Sequence, residues 1–213
     1  MIHRLYAFLS RVWQRAGQEN DRRFRGDCDF SEWMSQEEAG FEESQGNKYQ
    51  PVTDSLVKVL RHFPINIEDS ILDIGCGKGK AMYLMSRLPF RRIEGYDLSD
   101  RLAVIANKNF RRLGLRQCRA VQGNALTFTE YDKFNYFFMF NPFPQEIFEV
   151  MMGNLMESLK RNPRKCVLIY LNPVCHEYLI TQTPFRLVYK KRAMVRWYDY
   201  FCYECGEEEL RKG

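Results

Sequence analysis

Ser70 to Lys80 reads SILDIGCGKGK, a short apolar run that breaks into three glycines. Ile71 to Ile74 has the length and character of a buried strand, and Met82, Met85 and Leu88 continue beyond the glycines at helical spacing. A strand, a glycine turn and a helix bring backbone close to a ligand, because glycine takes φ values barred to other residues. Two phosphate-dependent readings meet difficulties. A Walker loop needs Gly-Lys followed by Ser or Thr, whereas Gly77-Lys78 is followed by Gly79, and Gly79-Lys80 by Ala81. A dinucleotide fingerprint needs G-x-G-x-x-G/A. Here the third glycine comes one position early and Lys80 stands in its place, which weakens that reading without excluding it.

Outward from this turn the chain alternates. Leu56, Val57, Leu60 and Phe63 predict a helix that Pro64 stops. Arg92 to Tyr96 predicts a strand, and Leu102, Ile105, Ala106, Phe110 and Leu113 a helix. Cys118 to Gln122 predicts a strand, as does FNYFFMF from Phe134 to Phe140, apolar throughout in the manner of a mid-sheet strand. A helix over Gln145 to Lys160 and a strand from Cys166 to Leu171 follow. Such alternation predicts a mostly parallel sheet with helical crossovers. FRLVY and VRWYDYFCY are separated only by KKRAM, too short for a crossover, so an antiparallel hairpin is expected at the end.

An acidic residue, one apolar residue and then G-x-G-x-G, as in Asp73-Ile74-Gly75-Cys76-Gly77-Lys78-Gly79, resembles the first motif of the class I S-adenosylmethionine-dependent methyltransferases. The resemblance covers Tyr49 to about Tyr203. It implies a Rossmann-like three-layer α/β/α sandwich, with S-adenosylmethionine as cofactor held by Gly75, Cys76, Gly77 and Gly79. By the same resemblance Asp73 reaches the methionine ammonium. Asp97, 22 residues after Gly75, accepts the ribose hydroxyls beside Leu98. In QGNAL, Asn124 and Ala125 follow the third strand, and the Asn124 amide can pair with the adenine edge. NKYQP, LDIGCGKGK, GYDLSD and NPF together are similar to small bacterial methyltransferases distantly related to the non-SET histone lysine methyltransferases. In those, a tyrosine before the core helps close over the cofactor, and Tyr49 is that residue by position.

Asn141-Pro142-Phe143-Pro144 ends the fourth strand, where the family faces its acceptor. An asparagine amide oxygen and the following carbonyl can accept hydrogen bonds from an amine and aim its lone pair. Asn141, Pro142 and Phe143 are therefore the catalytic candidates, and a nitrogen acceptor on a protein or a small molecule is expected. Methyltransferases of exocyclic base amines use Asn or Asp, Pro, Pro, then a stacking aromatic. Here the aromatic comes one position early, so nucleic acid is not expected. A second Asn-Pro, Asn172-Pro173, precedes His176, which reads as structural. Two other classes compete: a dinucleotide-dependent oxidoreductase, and a non-catalytic cofactor-binding module docked through its N-terminus.

The 213 residues suit one core with an appendage. The boundary is expected near residue 48, with an N-terminal extension over 1–48 and the methyltransferase domain over 49–213. Within the extension, Ile2, Leu5, Tyr6, Leu9, Val12 and Trp13 predict an amphipathic helix with Arg4, Arg11 and Arg15. It packs over the core, covers the substrate or, alternatively, makes peripheral membrane contact through residues 1–16. Residues 17–48 are acid-rich, with Phe24, Phe30, Trp33 and Phe41 as anchors of a docked lid and a short helix near Ser31 to Glu38. Net charge of +5 permits an acidic partner without requiring one. Seven cysteines in no framework-like spacing point to reduced thiols and a cytoplasmic location. Cys202 and Cys205 have zinc-like spacing, but there is no second pair, so a metal is not expected.

Overall fold

The computed structural model describes residues 28–206. The helix predicted over residues 1–16 and the anchor Phe24 lie outside the described residues. The elements are α1 (Gln36–Ala39), α2 (Ser55–Leu60), β1 (Ser70–Ile74), α3 (Lys80–Met85), β2 (Arg92–Asp97), α4 (Asp100–Arg112), β3 (Cys118–Gln122), β4 (Tyr136–Phe140), α5 (Gln145–Arg161), β5 (Cys166–Leu171), α6 (His176–Gln182), β6 (Arg186–Lys191) and β7 (Tyr200–Cys205). The sheet runs β3-β2-β1-β4-β5-β7-β6. Its first five strands are parallel, and β7 inserts antiparallel between β5 and β6. The fold is a Rossmann-like α/β/α sandwich. A doubly wound dinucleotide domain ends on a parallel strand instead.

Strand alternation builds the two outer layers. In β4, Tyr136 and Phe138 join the core under α2, α3 and α4, while Phe137 and Met139 join the core under α5 and α6. All five residues of β1 are buried, as expected of a central strand covered on both faces. The same alternation disposes of the zinc-like pair. Cys202 and Cys205 are three apart on β7, so they face opposite cores.

Three local expectations are corrected. The short helix starts at Gln36, not Ser31. Ser35 caps it through the Glu38 N–H, the Glu38 carboxylate returns to the Ser35 N–H, and Met34 is held extended by a bridge to Tyr49. The second hairpin strand begins only at Tyr200, because Arg196–Tyr198 form a 3-10 turn. His176–Gln182 is a helix that periodicity did not single out. Among the described residues no helix is long and apolar enough to cross a membrane.

Candidate functional site

At the carboxyl ends of β1, β2, β4 and β5 lies a cavity of about 460 Å³. The glycine turn forms its floor. The Gly75 and Cys76 N–H groups both donate to the Tyr96 carbonyl, at 2.9 and 3.0 Å, tying the turn to the end of β2. Gly77 has φ +51°, and a Cβ there would overlap the Tyr49 ring. Its N–H donates to Asp97 Oδ2 at 2.8 Å. Gly79, at φ +81°, is required for another reason: a Cβ would meet the Phe110 ring and Ala106 of α4.

Two carboxylates lie beneath this turn. Asp73 is 2% exposed, and its Oδ2 has no hydrogen-bond partner among the described residues. Burial, and then the nearby Asp97 charge, hold its carboxyl well above the usual range. Burial also lifts Asp97 to about 6, opposed by the N–H groups of Ser99 and Gly77. Two desolvated acids that form no ion pair among the described residues make a site that gains when a cation arrives. S-adenosylmethionine carries two cationic groups, an ammonium and a sulfonium, and the orphaned Asp73 oxygen fits the first.

Of the predicted cofactor residues, Tyr49, Asp73, Gly75, Cys76, Gly77, Asp97, Leu98 and Ala125 line the cavity. Gly79 and Asn124 are not among its lining residues. The Asn124 Oδ1 instead accepts from the Leu126 N–H at 2.9 Å, closing a local turn. Asn141, Pro142 and Phe143 all reach the cavity at the end of β4. His176 does not, and its Nδ1 lies 2.9 Å from the Tyr203 hydroxyl.

Five residues of the cavity wall are not singled out as binding residues by the sequence. Asn172, at φ +55°, stands at the end of β5 as Asn141, at φ +39°, does at the end of β4. Two left-handed asparagines on neighbouring strand ends mark a constrained site, and the repeated Asn-Pro was the visible signal. Trp197 reaches the mouth from the 3-10 turn, where its aromatic neighbours read as strand. Gly46, Asn47 and Lys48 complete the wall next to Tyr49. Asn47 seats on the Asn141-Pro142 turn, its Nδ2 donating to the Asn141 carbonyl at 2.6 Å and its N–H to the Pro142 carbonyl at 2.7 Å.

Residues 71–162 match the family model described as a methyltransferase domain. Over this stretch the chain resembles a methyltransferase domain, and its fold is the one seen in S-adenosylmethionine-dependent methyltransferases of known structure. A release factor glutamine methyltransferase from Vibrio cholerae is 34% identical over 76 residues, a match spanning 35% of this chain and 27% of that enzyme. Among solved structures, a magnesium protoporphyrin IX methyltransferase from Synechocystis with bound cofactor aligns with a TM-score of 0.52 at 16% identity, covering 71% of this chain and 76% of that one. A dimethyladenosine transferase from Plasmodium falciparum gives 0.57 at 15%, covering 76% and 64%. At these identities the likeness to the solved structures is one of fold.

Asp97→Ala is expected to weaken S-adenosylmethionine binding roughly ten- to hundredfold, since hydrogen bonds to a charged group contribute about 1.5–3 kcal/mol. The pH dependence has a defined sign. Without ligand, the raised values favour the protonated form of Asp73 and, below about pH 6, of Asp97. A bound cation favours the ionised forms, so binding releases protons and affinity rises as pH increases through about 6. Calorimetry in buffers of different ionisation enthalpy measures both effects.

Proposed function

We propose that the chain is an enzyme that transfers a methyl group from S-adenosylmethionine to a nitrogen of an acceptor arriving between the ends of β4 and β5. The observation that carries this reading is the buried Asp73 carboxylate, whose Oδ2 has no hydrogen-bond partner among the described residues, beneath a glycine turn whose cavity opens onto two Asn-Pro turns. The cofactor supplies an electrophilic methyl group on a sulfonium.

The chain's own residues bind, align and shield. Asp73 and Asp97 anchor the cationic and ribose ends, and Tyr49 closes over Gly77. Phe138, Phe140, Phe143 and Trp197 keep water from the acceptor end. Among the described residues, neither a histidine nor a carboxylate other than Asp73 and Asp97 lines the cavity. The nucleophile therefore arrives with a lone pair already available, which favours an uncharged nitrogen over a hydroxyl that needs a base. The turn's taste for N–H donors is visible in Asn47, whose amide and backbone nitrogens occupy the Asn141 and Pro142 carbonyls. The Asn141 Oδ1 accepts from the Tyr170 hydroxyl at 3.0 Å, which fixes the amide's orientation at the cavity wall. The name of the Vibrio cholerae relative adds glutamine as a further acceptor class, a carboxamide whose lone pair is delocalised and becomes available only when its N–H groups are held by hydrogen-bond acceptors such as those of the Asn141 turn.

Incubation of cell extract with methyl-labelled S-adenosylmethionine, with and without the protein, tests the proposal. A labelled N-methyl product dependent on the protein is expected. Binding of S-adenosylmethionine without protein-dependent product in any fraction would favour a non-catalytic module.

A further inference from the structure

Residues 28–50 cross the cavity as a strap, and one end is fastened outside the cavity by an ion pair between a buried lysine and a partly exposed aspartate. Lys78, a non-glycine position of the turn, is 1% exposed. Its Nζ lies 2.7 Å from Asp29 Oδ2 and 5.7 Å from the centre of the Tyr49 ring. Removing one partner of an ion pair whose other member is this buried is costly. Asn109 of α4 fixes the same point from the other side. It accepts from the Asp29 N–H at 3.0 Å, and its Nδ2 donates to the Asp29 and Lys78 carbonyls at 2.9 and 3.1 Å.

This fastening reaches the cavity through Tyr49. The two arms of the strap are joined, because the Tyr49 hydroxyl donates to the Phe30 carbonyl at 2.5 Å and Met34 bridges to Tyr49. Phe30 is fully buried and stacks on Tyr83 of α3 at 5.4 Å. The Tyr49 ring, pressed over Gly77, is then the face the strap presents to the ligand. Asp29 itself does not line the cavity.

We infer that Asp29 is a positioning residue which, through Lys78 and Tyr49, holds the strap shut over the cofactor and sets how fast the cofactor leaves. This rests on the cofactor reading above. A strap that opens more often lowers the population able to retain ligand, and apparent affinity falls by the same fraction. The sheet and both cores lie outside residues 28–50, so opening is a local event.

The test uses the full chain and S-adenosylhomocysteine as probe, with release followed by stopped-flow displacement. Asp29→Ala is expected to release the probe about tenfold faster, the result of an open population raised about tenfold. It also leaves Lys78 buried and unpaired, so its melting temperature falls. The double variant Asp29→Ala/Lys78→Met removes that stranded charge. It is expected to regain melting temperature while keeping the fast release. A double variant that releases at the wild-type rate would show the pair to serve stability alone and overturn the inference. Failure of the wild-type chain to bind the probe would refute the cofactor reading itself, and the inference with it.

Discussion

Gly77→Val is expected to abolish binding of S-adenosylmethionine. The turn places Gly77 at φ +51°, where a β-branched residue is a strong outlier, and a Cβ there would overlap the Tyr49 ring. Relief by displacing Tyr49 would break its hydrogen bond to the Phe30 carbonyl and lift the strap. Relief by moving the turn would break the Gly77 N–H bond to Asp97. Either way one wall of the cavity is lost. Calorimetry on the folded variant checks this, and wild-type affinity would remove Gly77 from the site. Gly79→Ala gives the contrast: its neighbours are Phe110 and Ala106, so the loss should appear first in thermal stability.

The second large effect concerns Asn141. Because it sits at φ +39°, Asn141→Ala mixes two losses, the side-chain amide and the tolerance for left-handed backbone. Asn141→Gly separates them, since glycine keeps the backbone and deletes only the amide. If the amide aligns the acceptor, Asn141→Gly should lower turnover roughly a hundredfold or more, the scale of a lost transition-state hydrogen bond. Its melting temperature should stay close to wild type and its cofactor affinity within a few-fold. A pure alignment loss lowers kcat and kcat/KM together. Wild-type turnover by folded Asn141→Gly on its identified acceptor would confine Asn141 to ending the strand.

The central strands were legible because burial on both faces leaves long apolar runs such as Phe134 to Phe140, and the glycine turn because its spacing tolerates few alternatives. What could not be read was why each residue is there. Gly79 has the look of a cofactor residue, yet its demand for a bare backbone comes from Phe110, which no local spacing reveals. Asn124 followed a strand end as expected, but its side chain was available to its own turn. The strap's course depends on tertiary pairings, Asp29 with Lys78 across 49 positions and Asn47 with Asn141 across 94. Isolated aromatics suggest a docked segment, and Phe30 is fully buried. Only the fold shows that Lys78, within the glycine motif, pairs with Asp29 of that segment.

The most direct measurement is calorimetric titration of the wild-type chain with S-adenosylmethionine, S-adenosylhomocysteine and NAD in turn. Saturable binding of the first two, with dissociation constants on the order of micromolar, and no heat with NAD is the predicted result. Binding of NAD, with no heat from either adenosyl ligand, would contradict the account.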